Sequence, residues 1–116
     1  MISIPGGVQV WLCAGYTDMR KSFDGLAMVV QQTLQANPHD PGHLFVFRGR
    51  RGDRIKVLWH DGTGLCLFAK RLETGLFVWP QAQEGAVHLS SGQLSILLEG
   101  IDWRHPKKPR VPLLAG

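Results

Sequence analysis

The spacing of apolar and polar residues changes period several times along the chain, and each change predicts an element. Residues 8–13 form a short, nearly continuous apolar run after Pro5, Gly6 and Gly7, and read as a strand. Residues 16–21 are a polar connection. Phe23, Ala27, Val30 and Leu34 then recur at helical spacing, flanked by Leu26 and Val29, which predicts a helix over 23–36 with that stripe facing a core. Ser22 stands where an N-cap is wanted, Asp24 sits favourably near the positive helix end, and Gly25 weakens the helix slightly. Asn37 and Pro38 end it, and Pro41 and Gly42 prolong the loop.

From Leu44 the period becomes that of strands. Residues 44–48 are a short apolar strand. Over 54–60, Ile55, Val57 and Trp59 fall on one face and Arg54, Lys56 and His60 on the other. Asp61, Gly62, Thr63 and Gly64 spell a hairpin turn into a strand over 65–72. After Glu73, Thr74 and Gly75, residues 76–79 read as a further strand. The expectation is an antiparallel meander of about four to five strands with one face packed and the other wet. A second helix is predicted over 91–99. Ser90 and Gln93 have capping-box spacing, Leu94, Leu97, Leu98 and Ile101 form its apolar stripe, and Gly100 stops it. The class is α+β: one domain over 1–103, then a basic, proline-punctuated arm over 104–116 that reads as disordered.

Composition narrows the class further. At 116 residues and 44% hydrophobic, the chain suits one soluble globular domain with a small core. No stretch approaches the roughly 20 apolar residues of a membrane span, and residues 1–7 lack the basic and apolar regions of a secretory signal. Cys13 and Cys66 each lie within an apolar strand-like run and read as free thiols, in keeping with the reducing cytoplasm. Net charge is +4, unevenly spread. Residues 44–71 carry Arg48, Arg50, Arg51, Arg54, Lys56, Lys70 and Arg71 against Asp53 and Asp61, a balance of +5. Residues 72–103 have no Lys or Arg and carry −4, and 104–116 have no acid and carry +4. Two basic blocks flank an acidic one, a pattern suited to a polyanionic partner.

Three segments are candidates for nucleic-acid contact. The first is the turn Arg48, Gly49, Arg50, Arg51, Gly52, Asp53, Arg54, continued by Lys56. Glycines there allow close backbone approach, and guanidinium groups make bidentate contacts with phosphate or guanine. The competing reading is a solvated tip whose arginines keep a sheet edge soluble. The second is the arm bearing Arg104, Lys107, Lys108 and Arg110, suited to phosphates or a minor groove, or else simply a solubilising end. The third is the helix start with Arg20 and Lys21. Amides and cations there suit a phosphate, whereas Asp18 and Asp24 are placed to pair with those same cations.

Catalytic readings are poorly supported. A metal-dependent nuclease core wants a carboxylate two positions before a strand lysine; Lys56 is preceded at that spacing by Arg54, and Asp53 falls on the other face. His39 and His43 have the spacing of a helical metal pair, but Pro41 and Gly42 between them forbid the helix. Ser, His and Asp occur without a nucleophile-elbow context, and Asp61 beside His60 is accounted for by the turn. No enzyme, cofactor or metal is expected.

Over residues 18–26 (Asp-Met-Arg-Lys-Ser-Phe-Asp-Gly-Leu), 44–58 (Leu-Phe-Val-Phe-Arg-Gly-Arg-Arg-Gly-Asp-Arg-Ile-Lys-Val-Leu), 59–73 and 77–80 (Phe-Val-Trp-Pro), the chain resembles the TnpB accessory proteins of the sixty-six insertion-sequence family. The resemblance spans about residues 4 to 103. Ser22 stands where that family often has glycine, and Trp59-His60 where it commonly has an aromatic pair. The resemblance implies a bacterial mobile element whose larger, separate protein is the transposase, with the small protein assisting transposition. It carries over no agreed catalytic residues. The resulting expectation is an accessory factor whose partners are DNA, at element ends or as nonspecific duplex, and the transposase, with the oligomeric state left open. The rival expectation is an adaptor that binds the transposase through the 72–103 block and exposed aromatics such as Trp79 or Trp103, without touching DNA.

Overall fold

The computed structural model describes residues 7–82 and 84–100. Strand β1 (Gln9–Tyr16) leads to helix α1 (Phe23–Thr33), then to β2 (His43–Arg48), β3 (Arg54–His60), β4 (Leu65–Arg71), β5 (Ala86–Leu89) and helix α2 (Ser91–Glu99). One five-stranded sheet has the order β4-β3-β2-β1-β5. The α+β class stands, and the sheet is mostly antiparallel: β3 pairs with both β2 and β4, and β5 with β1, in that sense.

The expected antiparallel meander runs through β2, β3 and β4, and β1 departs from it. β1 and β2 pair in parallel, Gln9 opposite His43 through Cys13 opposite Phe47, so β1-α1-β2 is a crossover unit. Nor is one sheet face wet. Val10, Leu12, Leu44, Val46, Ile55 and Val57 point to one side and pack on Leu94, Leu97 and Leu98 of α2. The alternate residues Cys13, Phe45, Phe47 and Leu58 pack on Leu26, Ala27 and Val30 of α1. A strand covered on both faces needs no polar alternation, which is why Leu44, Phe45, Val46 and Phe47 are all buried.

The helices follow their local chemistry with two differences. In α2 the Ser90 hydroxyl accepts from Gln93 N at 3.0 Å while the Gln93 amide oxygen accepts from Ser90 N at 2.7 Å; Gly100 ends the helix in the left-handed region at φ 72°. In α1, Ser22 occupies the N-cap position without a side-chain hydrogen bond, and Phe23 is 44% exposed rather than in the core stripe. The helix stops at Thr33, short of Asn37-Pro38, because Gln35 turns left-handed at φ 52° and Ala36 N returns to Val30 O. Residues 76–79 are not a strand. They are irregular, with Phe77 buried and Trp79 half-buried against it. The fifth strand is instead the short β5, at the edge beside β1, which sequence pattern did not expose. Ile101 and the arm over 104–116 lie outside the described residues.

The hairpin between β3 and β4 closes as its turn residues predict. Asp61 Oδ1 accepts from Thr63 N, Thr63 Oγ1 and Gly64 N at 2.9, 2.9 and 3.0 Å. The Thr63 amide first, then the Gly64 amide and the Thr63 hydroxyl, hold this carboxyl down at about 2. The register then follows, His60 opposite Leu65 through Arg54 opposite Arg71.

Removing the α2 cap by Ser90→Ala is expected to cost about 1 kcal/mol, and opening the core by Leu94→Ala about 2–5 kcal/mol, both read from urea unfolding. Asp61 gives a pH-dependent test. Its carboxyl is depressed in the folded chain, so its contribution is complete above the unfolded value of about 4 and is lost as pH falls through about 2. Asp61→Ala is therefore expected to be less stable than wild type near neutral pH and to converge with it in acid-unfolding curves below that point.

Candidate nucleic-acid interface

The parallel pair ends where the basic residues begin. β1 carries two residues, Ala14 and Gly15, that have no counterpart in β2, so the register jumps from Cys13 opposite Phe47 to Tyr16 opposite Arg48. Such a bulge re-aims the next side chain, and here it sets the Tyr16 ring beside the arginine turn. Thr17 N then donates to Arg48 O at 2.8 Å, fixing the start of the β1–α1 connection.

Four planar groups meet at this corner. The Arg48 guanidinium lies 5.3 Å from the Trp79 ring centre and 5.1 Å from that of Tyr16, and Arg50 lies 5.3 Å from Tyr16. These are cation–π distances. Trp79 is fixed in turn: its Nε1 donates to Gly52 O at 3.1 Å, and Phe77 N donates to the same carbonyl at 3.0 Å. Gly52 adopts φ +79°, a conformation that side chains rarely take, under Leu76 and Trp79. Gly49 is required for a different reason, since a Cβ there would stand 2.6 Å from Met19 Cγ. The glycines of the turn thus admit its neighbours, Trp79 on one side and Met19 on the other.

Between the turn and the β1–α1 connection lies a solvent-open cleft of about 440 Å³, lined by Tyr16, Thr17, Asp18, Met19, Gly49, Arg50, Arg51, Asp53 and Arg54. It sits at the carboxyl ends of the two parallel strands, beside the start of α1, where open sheets of this kind bind ligands.

The expected cations divide into committed and available ones. Arg20 is committed: its Nε and Nη2 grip the Asp18 carboxylate at 2.8–3.2 Å, and this hydrogen bonding holds Asp18 well below the usual carboxylate range. Arg48 is taken up by its two aromatic neighbours. Arg51, with its side chain 77% exposed, approaches Asp53 at 3.6 Å, a loose surface pair of little worth. Lys56 reaches across the sheet face to donate to Lys21 O at 2.8 Å, which brings Lys21 to the same side. Among the described residues Lys21, Arg50, Arg54 and Lys56 make no ion pair. Arg104, Lys107, Lys108 and Arg110 lie outside the described residues. The last described residue, Gly100, packs on Leu72, whose amide donates to Asp53 O, so the chain leaves the described fold at the arginine end of the sheet.

Three participants, Tyr16, Trp79 and Arg71, lie outside the three segments whose sequence suggests nucleic-acid contact. Tyr16 depends on the bulge and Trp79 on an irregular segment, neither of which has a periodic signal. Arg71 could have been found, because the Asp61–Gly64 turn fixes the hairpin register and so places Arg71 directly opposite Arg54. Like charges in that relation repel unless an anion joins them. Arg54 Nε is enclosed without a hydrogen-bond partner, as is Asp53 Oδ1.

Elsewhere the polar groups are locally satisfied. Trp11 Nε1 donates to His43 Nδ1 at 3.0 Å and His43 Nε2 faces Asp40 at 3.1 Å, so this histidine orders a loop. No group of three metal-binding side chains occurs among the described residues. Cys13 and Cys66 are free; burial pushes the Cys13 thiol up, and hydrogen bonds from Thr17 and Gly15 offset this only in part. No helix among the described residues is long and apolar enough to cross a membrane.

Fold and site therefore define a small α+β protein with a cationic, aromatic-flanked cleft at one end of its sheet. The chain belongs to the family described as IS66 Orf2 like protein, whose model matches residues 8–108, and it is thus an insertion-sequence-associated accessory protein. It is similar to two proteins of Sinorhizobium fredii (strain NBRC 101917 / NGR234). "Uncharacterized protein y4hO" is 55% identical over 115 residues, covering 97% of this chain and 99% of that protein. "Uncharacterized protein y4jC" is 36% identical over 111 residues, covering 96% and 94%. No solved structure matches.

The division between Arg48 and Arg50 is testable. Arg48→Ala is expected to destabilise by about 1–2 kcal/mol through loss of two aromatic contacts, whereas Arg50→Ala, on the surface, stays within about 0.5 kcal/mol of wild type. Thermal unfolding followed by tryptophan emission reads both.

Proposed function

We propose that the protein is a non-catalytic DNA-binding accessory factor of insertion-sequence transposition, gripping DNA through the arginine turn and the basic face beside it. The observation that carries this reading is the convergence of Lys21, Arg50, Arg51, Arg54, Lys56 and Arg71 at one end of the sheet, with most of them free of carboxylates. Backbone amides and guanidinium groups so arranged suit phosphate. The chain exits at Gly100 beside Leu72, at the same end of the sheet as the arginine turn but on the α2 side, so Arg104, Lys107, Lys108 and Arg110 would extend the contact around that end, with Arg20 serving to shape the connection rather than to bind. Its partners on this reading are DNA and the element's transposase, in the bacterial cytoplasm. The adaptor reading loses one of its aromatics, since Trp79 is engaged by Gly52 and Arg48.

Each phosphate neutralised contributes about −0.9 to the log–log slope of duplex affinity against salt. Replacing Arg50, Arg51 and Arg54 together by Ala is expected to flatten that slope by about two to three and to weaken binding across all sequences. A chain ending at Trp103 tests the arm by the same measurement. An unchanged slope, with transposase co-purification lost instead, would overturn direct DNA contact in favour of the adaptor.

A further inference from the structure

We infer that the cleft receives an unpaired nucleotide of a DNA strand, its base extending the Tyr16–Arg50 stack and its phosphate meeting Arg54 and Arg71. This rests on the DNA-contact reading above and narrows it from duplex in general to single-stranded segments or frayed ends.

Shape is the first reason. Duplex DNA presents its phosphates over a broad convex surface and keeps its bases inside the stack, whereas this site is a concavity of about 440 Å³. That lies within the range of about 300–1,000 Å³ usual for small-ligand sites, and a base can enter it only when unpaired. The second reason is the chemistry of the corner. Tyr16 remains 58% exposed although two guanidinium groups lie over its ring, and Arg50 beside it is exposed as well. Exposed aromatic and guanidinium planes are the surfaces on which splayed bases stack, with little regard to sequence. Arg48, anchored on Trp79, makes the platform stiff from beneath.

Charge supplies the third reason. Arg54 and Arg71 oppose one another across β3 and β4, and no acid pairs with either among the described residues. One phosphate relieves that repulsion. The cleft wall also carries the Asp18 and Asp53 carboxylates, paired with Arg20 and Arg51, which dilute its positive charge and disfavour a continuous row of phosphates. A uniformly basic wall would favour duplex backbone; this mixed wall favours one phosphate and one base.

The test uses the full-length chain and three probes: a labelled oligothymidylate, a blunt duplex, and that duplex with a single-stranded overhang containing 2-aminopurine. Wild type is expected to bind the overhang probe about tenfold more tightly than the blunt duplex and to quench the 2-aminopurine, as stacking does. Tyr16→Leu is expected to bring overhang and oligothymidylate affinity down to the blunt-duplex level and abolish the quench, while Tyr16→Phe, which keeps the ring, retains both. Equal wild-type affinity for blunt and overhang probes, or a preference that survives Tyr16→Leu, would overturn the inference while leaving duplex binding intact. Displacement of the strand by a free mononucleotide at equal nucleotide concentration would overturn its assignment to a strand. Wild-type binding to none of the probes would remove the DNA-contact reading as well.

Discussion

Parallel pairing of β1 with β2 is the constraint on which the other features depend. Two parallel neighbours need a crossover between them, and α1 supplies it by lying across one sheet face. With that face covered, α2 closes the other, and the central strands become apolar throughout. The same pairing brings the ends of β1 and β2 together, so the β1–α1 connection and the arginine turn form opposite walls of one cleft. An all-antiparallel arrangement of the same strands would carry those two segments to opposite ends of the sheet.

The site is built by small departures from regularity at that junction. A two-residue bulge turns Tyr16 toward Arg48, a left-handed Gly52 offers one carbonyl to both Phe77 and Trp79, and Gly49 makes room for Met19. Arg48 and Arg20, which look equivalent to their neighbours in a count of charges, act within the fold: one stacks between two rings and the other clamps Asp18. Among the described residues Arg50, Arg54 and Arg71 make no ion pair, and Lys56 is held only by the Lys21 carbonyl. Family membership explains why the chain accompanies an insertion sequence; the arrangement of these side chains is what the proposed contact with DNA rests on.

Elements governed by local chemistry were legible in the residues. The hairpin turn at Asp61, the alternation of 54–60, the capping box of α2 and its leucine stripe all appear where short-range rules put them. What depended on distant partners was not. A run such as residues 44–47 reads the same whether its strand is parallel or antiparallel, and only the helix before it hints at the crossover. Four-residue β5 is too short to show a period, and residues 76–79 are apolar because Phe77 enters the core and Trp79 caps the arginine turn, not because they pair in a sheet. In the site, the guanidinium-rich turn was conspicuous from composition alone, whereas the aromatic half required knowledge of where β1 ends. Arg71 lay between these cases, fixed by a register that the turn residues already implied.

The proposed function has DNA met at the carboxyl ends of the parallel strands. Its most direct test is amide chemical-shift mapping of the isotope-labelled chain titrated with a single-stranded-tailed duplex. Contact there is expected to perturb amides clustered at 16–21, 48–56 and 70–72. Perturbations confined to β5 and α2, with the arginine turn unmoved, would contradict it.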